Sequence, residues 1–290
     1  MIVFLNGQFV PEAEAMVSVL DRGFLYGDGL FETLLVRHGQ PFRWLPHLER
    51  MRRGADFLGI RLPFSPDALL GFARELVRRN ERRDGLLRVT LSRGVGARGY
   101  SPSGAEQPTL VMTLHPMPAW DSPEPPQWKL ATASLRLPAH ELLVQFKTCN
   151  KLAQVLARAE AEARGADEAL LLNTEENVVE AASGNLFWIE GDTVCTPPVG
   201  SGILPGVTRG LVLELCRALG VATREASPGP AELLRAASVF LSLSGWGLVA
   251  ASELDGQVLA QSPLVRQLQH AYARLVEEET RAGAVGCGER

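Results

Sequence analysis

The sequence predicts an α/β protein of the α+β kind, folded as two lobes, and three observations carry that prediction. Strand-like alternation and helix-like spacing are interleaved through the first 115 residues. A stretch with four prolines in twelve positions, 117–128, then interrupts both patterns. A second series of strands and helices follows it to the end of the chain. In order, 2–5 and 8–10 alternate around Asn6-Gly7, the dipeptide of a tight hairpin. Leu30–Val36 reads as a strand, His38-Gly39-Gln40 as a turn and 41–43 as its return. Leu45, Leu48, Met51, Ala55 and Leu58 recur at helical spacing, and a second helix is expected over 66–80. Strands are expected at 86–92 and 109–115. Proline disfavours helix and central strand alike, so 119–128 is expected to link a small N-terminal domain, 1–118, to a larger one, 129–290. In the larger domain, strands are expected at 129–135, 168–172, 177–180, 185–189, 239–243 and 248–254. Helices are expected at 151–164, from 207, and at 262–279, with a frayed tail over 282–290.

Composition narrows the function classes. The 290 residues are 46% hydrophobic, enough for full cores, and the net charge of -4 offers no bulk basic field for nucleic acid. Cys149, Cys195, Cys216 and Cys287 lack metal-ligand spacing and read as reduced thiols. The five histidines are dispersed, so no metal site is expected. No apolar run approaches 18 residues, so no membrane span is expected, and neither is a signal peptide; a cytoplasmic protein is the expectation.

The chemistry-bearing residues stand out against this background. Only Lys129, Lys147 and Lys151 of the 29 basic residues are lysine. Arginine stays charged, whereas lysine can lose its proton and form a Schiff base, so a chain rich in arginine keeps lysine where an amine is needed. Lys147 and Lys151 sit together in Phe146-Lys-Thr-Cys-Asn-Lys151, as an amine nucleophile or as surface charges. Gly202-Ile-Leu-Pro-Gly-Val-Thr-Arg209 brings a Gly/Pro loop to a helix start, whose outward N–H groups make an anion cup; an ordinary cap by Thr208 is the other reading. Glu180 precedes small residues that let a backbone approach a flat ring, and a buried carboxylate could keep a pyridine nitrogen protonated; a surface strand end is the alternative. Arg93-Gly-Val-Gly-Ala-Arg98-Gly-Tyr100 reads as a mobile basic loop whose arginine fork suits a carboxylate, or as a plain hairpin loop. Arg50, in His47-Leu-Glu-Arg50, is a further cation on the first long helix, and His47 is expected to pack or cap there.

Taken in order, five motifs resemble the fold-type IV pyridoxal-phosphate enzymes, the class IV aminotransferase family. They are Asp21–Thr33 (Asp-Arg-Gly-Phe-Leu-Tyr-Gly-Asp-Gly-Leu-Phe-Glu-Thr), His47–Arg50, Lys147-Thr-Cys-Asn150, Glu180 with Ser183–Phe187, and Gly202–Arg209. The resemblance spans roughly residues 2–270. It implies a D-amino acid aminotransferase-like fold, pyridoxal 5'-phosphate in a cleft between the lobes, a C-terminal domain that binds the cofactor, and a homodimer. It also implies roles. Lys147 is the Schiff-base lysine and moves protons at the substrate carbon. Glu180 faces the pyridine nitrogen. Arg50, the amides of Val207 and Thr208, and Ser244 hold the phosphate.

Within the family, Lys-x-x-Asn and the loop Arg93–Tyr100 are similar to the 4-amino-4-deoxychorismate lyases, and Thr33 falls where lyases carry threonine. The branched-chain enzymes' tyrosine after the lysine is absent, with Asn150-Lys151 in its region. The resemblance therefore implies a lyase releasing pyruvate and 4-aminobenzoate from a small anionic amino substrate. Thr33 would assist proton transfer, and Arg98 with Tyr100 would hold a carboxylate. Transamination of D- or branched-chain amino acids is the alternative.

Overall fold

The computed structural model describes residues 1–118 and 125–285. The centre of the expected linker, 119–124, lies outside the described residues. Contacts divide the chain into two compact units. The first comprises Met1–Pro118, Phe146–Asn150 and the chain from Val276; the second comprises Ala119–Gln145 and Lys151–Leu275.

In the first unit the elements are β1 (Ile2–Leu5), β2 (Gln8–Pro11), a short α1 (Arg22–Tyr26), β3 (Gly29–Arg37), β4 (Gln40–Pro41), α2 (Trp44–Leu58), α3 (Pro66–Arg79), β5 (Gly85–Ser92) and β6 (Thr109–His115). The six strands form one sheet in the order β2-β1-β6-β5-β3-β4. Asn6 (φ 48°) and Gly7 (φ 93°) both take the left-handed conformation that a two-residue hairpin turn requires. Ser65 caps α3 by accepting from the Ala68 N–H at 3.2 Å, with Pro66 in the first turn. Side chains alternate across β3. Leu30 and Leu34 enter the core shared with Leu48 and Met51 of α2 and Leu69 and Leu76 of α3, whereas Phe31 and Thr33 are half-buried on the opposite face. That alternation fixes which face of the sheet is left for chemistry.

The return strand expected over 41–43 is only two residues long. Arg43 adopts a left-handed conformation (φ 53°), which breaks the strand and opens α2. The sequence reading also missed α1, whose five residues are too few to show helical periodicity.

The second unit contains β7 (Gln127–Leu137), α4 (Leu152–Ala163), β8 (Glu168–Asn173), β9 (Val178–Ala181), β10 (Asn185–Glu190), β11 (Thr193–Thr196), α5 (Val207–Ala218), β12 (Ala222–Glu225), α6 (Pro230–Leu233), β13 (Ser238–Leu243), β14 (Gly247–Leu254) and β15 (Gln257–Val258). Strand order is β12-β11-β10-β13-β14-β7-β8-β9, with β15 on β14. A further pairing of β9 with β10, through Glu180 and Asn185, closes six of these strands into a ring. Leu130, Leu170, Leu186, Trp188, Leu241 and Val249, drawn from five of the ring strands, pack into one cluster. Ala131, Ala133, Ala169 and Leu171 pack instead with Ala157 and Ala161 of α4. No helix among the described residues is long and apolar enough to cross a membrane.

The last helix, α7 (Pro263–Val285), runs through 282–285 of the tail expected to fray over 282–290, and 286–290 lie outside the described residues. Ion pairs hold its final turns: Glu277 accepts from Arg37 at 2.9 Å and lies 2.8 Å from His38 Nε2, and Arg43 reaches Glu279 at 3.0 Å. The hydrogen bond from His38, with Arg37 adding to it and burial opposing, holds the Glu277 carboxyl at about 2. A carboxylate lowered from about 4.3 in the unfolded chain contributes stability above that pH and loses it as pH falls toward the folded value. Glu277→Gln is therefore expected to lower the melting temperature at pH 7 by about 2–4 °C, for a pair worth about 1 kcal/mol. The difference from wild type should shrink as the buffer goes from about pH 5 to about pH 3. Thermal scans across that range check this, and a gap independent of pH would refute it.

Candidate active site

In the first unit, Lys147 is fastened to β3 by backbone. Phe31 N–H donates to Lys147 O at 2.9 Å, Cys149 N–H donates to Gly29 O at 2.9 Å, and Leu30 bridges Thr148 in antiparallel register. Lys147 thus lies opposite Phe31, and its Nζ stands 4.7 Å from the centre of the Phe31 ring. Flanking contacts secure the segment. Phe146 stacks on Phe57 with centroids 4.4 Å apart, and Asn150 Nδ2 donates to Gly27 O at 3.1 Å. A side chain at Gly27 would strike Asn150 Oδ1 at 2.5 Å, which gives that glycine in the Asp21–Thr33 motif a packing reason. Thr33, two residues from Phe31, projects to the same face of β3.

Arg88 belongs to this cluster and was missed in the sequence. It pairs in register with Thr33, and its guanidinium carbon stands 3.9 Å from the Phe31 ring centre. Burial lowers its pKa, with Cys149 opposing, and its Nε donates to Thr90 Oγ1 at 3.3 Å rather than to a carboxylate. Strand alternation could have placed it opposite Thr33, but only the pairing of β3 with β5 fixes the register.

Arg50 is buried, so the solvated-helix alternative does not hold. It donates from Nε to Glu32 Oε1 at 2.8 Å and from Nη2 to Oε2 at 2.6 Å, a two-point pair. His47, expected to pack or cap, is buried and also places Nδ1 2.7 Å from Glu32 Oε2. Burial pushes Glu32 up, but the charge of Arg50 and the hydrogen bonds from His47 and Arg50 outweigh it and hold the carboxyl at about 2. Burial lowers His47 below its ordinary range, against the pull of Glu32. Glu32 was not singled out from the sequence; its place between Phe31 and Thr33 in a strand was the available signal.

The loop bearing Arg98 and Tyr100 is pinned rather than mobile. Arg22 donates from Nη1 to Gly99 O (2.9 Å) and Ser101 O (3.1 Å), and from Nη2 to Tyr100 O (3.1 Å). Asp28 takes both Arg22 Nε (2.8 Å) and Arg93 Nε (2.7 Å). Burial raises the Asp28 pKa, but these two arginines hold it below the ordinary value. Arg93 is therefore structural. Arg98 is exposed, and Tyr100 is 88% exposed with its ring 5.6 Å from that of Tyr26.

In the second unit, Glu180 is buried, against the surface-strand alternative, at the point where β9 closes onto β10. Its Oε2 accepts from Leu204 N–H at 3.0 Å and Asn185 Nδ2 at 3.4 Å. Asn185 Nδ2 also donates to Leu204 O at 2.8 Å, which ties the Gly202–Arg209 loop to Glu180. Gly206, not Thr208, caps α5, and no side chain closes the cap. Val207 and Thr208 are the first two helical residues, so their N–H groups have no partner within the helix. A Cβ at Gly206 would meet Asn185 Oδ1 at 2.0 Å. Ser242, the register partner of Asn185 on β13, is buried, and its Oγ has no hydrogen-bond partner among the described residues. Ser244 is half-buried in the turn after β13. Behind this region the fully buried Glu168 accepts from the Ser183 hydroxyl, from its own neighbour Ala169 N–H at 2.8 Å and from Arg158 at 3.2 Å, anchoring the β9–β10 turn.

No group of three or more His, Cys, Asp or Glu residues that could hold a metal is found among the described residues. The family description "Amino-transferase class IV" matches residues 29–254. A D-alanine aminotransferase of Bacillus licheniformis is 30% identical over 283 residues, 97% of this chain and 99% of the relative. An aminodeoxychorismate lyase of Vibrio harveyi is 34% identical over 245 residues, 82% and 88% of the two chains. The branched-chain aminotransferase of the thermophilic archaeon Thermoproteus uzoniensis, solved with norvaline, superposes with a TM-score of 0.88 at 29% identity and covers 97% of this chain and 96% of its own. Together with the matched five-motif order, this places the chain in the class IV aminotransferase family of pyridoxal-phosphate enzymes, to which it belongs.

Proposed function

We propose that this chain is a 4-amino-4-deoxychorismate lyase. The observation that carries the reading is the cluster on the open face of β3: an amine (Lys147), a hydroxyl (Thr33) and a half-buried cation (Arg88) around the Phe31 ring. Such a face suits an anionic substrate that carries its own amine and needs a proton moved. The residues of the second unit fit pyridoxal phosphate in kind. Glu180 is a buried carboxylate for the pyridine nitrogen, and the side-chain-free start of α5 with the orphaned Ser242 hydroxyl suits a phosphate. The family uses this cofactor.

When bound, the cofactor supplies an electron sink. Lys147 would hold it covalently, Glu180 would face its ring nitrogen, and Arg50, the amides of Val207 and Thr208, and Ser244 would hold its phosphate. Arg88, Arg98 and Tyr100 orient the substrate carboxylates. Lys147 would take the proton from the substrate carbon that bears the amine. The carbon–oxygen bond to the enolpyruvyl group then breaks, the ring becomes aromatic, and the enolpyruvyl fragment leaves with a proton as pyruvate. Thr33 serves that transfer as a hydroxyl relay. A second reading, transamination of D- or branched-chain amino acids, is favoured by the relatives of that activity.

Adding purified protein to aminodeoxychorismate without any keto acid is expected to release fluorescent 4-aminobenzoate. Lys147→Ala should abolish the release, and Arg88→Leu should raise KM more than it lowers kcat. Cofactor-loaded protein that yields no 4-aminobenzoate but transfers an amino group from D- or L-amino acids would replace the lyase with the second reading. Gly206→Ala tests the phosphate cradle, because the added methyl must displace Asn185. Spectroscopic titration should show cofactor affinity falling at least about 10-fold, a change of about 1.4 kcal/mol or more; unaltered affinity counts against α5 as the phosphate site. We also propose a homodimer, supported by the exposed apolar run Met16, Val17, Val19, Leu20 and Phe24. Light scattering should then give about twice the 31.5 kDa chain mass, and a monomer mass would remove that proposal.

A further inference from the structure

The buried acid between Phe31 and Thr33 has no part in the chemistry proposed above, yet it is among the most heavily bonded side chains in the first unit. Glu32 is 2% exposed. Its two oxygens take Nε and Nη2 of Arg50 and lie against Nδ1 of His47, all within 2.6–2.8 Å. Two parallel N–H···O bonds fix the plane of a guanidinium as well as its position. A long, flexible arginine side chain loses rotamer entropy on being held, and Glu32 removes that freedom from Arg50 before any ligand arrives. His47 completes the arrangement. Its Nδ1 lies 2.7 Å from Glu32 Oε2, and burial lowers its pKa against the opposing pull of Glu32.

We propose that Glu32 is a positioning residue that aims Arg50 at the cofactor phosphate and so makes the site select phosphorylated over unphosphorylated pyridoxal. The proposal rests on the reading that Arg50 contacts the phosphate. Its physical content is a competition. Replacing Glu32 by glutamine removes the carboxylate's countercharge beside Arg50, which leaves the site more positive and favours a dianion. It also puts an amide NH2 against the N–H groups of Arg50 or His47, so the guanidinium is forced out of its plane. An acceptor is lost from a geometry held at 2.6–2.8 Å, and with the NH2 in place of Oε2 both Arg50 Nη2 and His47 Nδ1 lose it; in a buried site direction outweighs the added charge.

The experiment is an equilibrium titration of the cofactor-stripped full-length chain with pyridoxal 5'-phosphate and, separately, with pyridoxal, read by absorbance. Glu32→Gln is expected to weaken pyridoxal phosphate at least about 10-fold while changing pyridoxal less than about 2-fold. Glu32→Asp, which keeps the charge but withdraws it by one methylene, should lie between, and it stands in for glutamine if that variant does not fold. A ratio of the two affinities that is unchanged or improved in both variants overturns the proposal, and so does an equal loss for the two ligands, the mark of a purely structural role. Arg50→Leu separates this outcome from failure of the underlying reading. If Arg50→Leu keeps the preference for the phosphorylated ligand, Arg50 is not the phosphate anchor. If Arg50→Leu loses it and Glu32→Gln keeps it, only the role of Glu32 falls. In the double variant, Glu32→Gln should add nothing to the loss caused by Arg50→Leu.

Discussion

Three residues of backbone pairing decide where this protein's chemistry can happen. The segment Lys147–Cys149 lies far along the chain from β3, yet it adds to the edge of that strand as a short antiparallel rung. Because side chains alternate across a strand, that register sends Lys147 to the face of Phe31 and Thr33 and leaves the opposite face to the core. A shift of one residue would bury the lysine among leucines and expose the threonine's neighbours. The stacking of Phe146 on Phe57 and the bond from Asn150 to Gly27 flank the rung on both sides, so the register is held by side chains as well as by backbone.

The charged groups of the first unit follow one rule: a buried charge is paired at two points or more. Glu32 takes three donors from α2, and Asp28 takes two arginines. Arg22 satisfies three carbonyls of a loop that the glycines alone would leave loose. Desolvation of such groups is expensive unless the partners are complete, so these networks fix the geometry at least as much as they stabilise it. Arg88 departs from the rule, with a threonine rather than a carboxylate at its Nε and an aromatic ring beneath it. A cation treated this way suits a ligand's anionic group.

In the second unit, ring closure of the sheet has the corresponding role. The Glu180–Asn185 pairing joins β9 to β10, and the side chains of the same two residues hold the backbone of Leu204, two positions before the α5 cap. Closing the ring and presenting the start of α5 are therefore one structural event. The glycine at 206 is required because Asn185 occupies the space a side chain would fill.

The sequence by itself determined the elements and the roster of chemistry. Hydrophobic alternation, apolar runs and helical spacing located β3, β5, β6, α2, α3 and the six ring strands of the second unit, because burial imposes the pattern directly. The scarcity of lysine singled out Lys147, and the glycines of 202–206 marked a helix start. The short α1, β11 and β12 escaped, since four or five residues carry too little periodicity. The loop at 93–100 read as mobile because nothing local shows that Arg22, more than 70 positions away, holds it. Only the tertiary structure decided pairing: that Arg50 is bound to Glu32, that His47 joins them, that Gly206 rather than Thr208 caps α5, and that Arg88 lies over Phe31. The physical reason is common to all four. A residue's type and spacing fix which face it occupies, but its partner is set by which strands and helices come together, and that depends on contacts between distant parts of the chain.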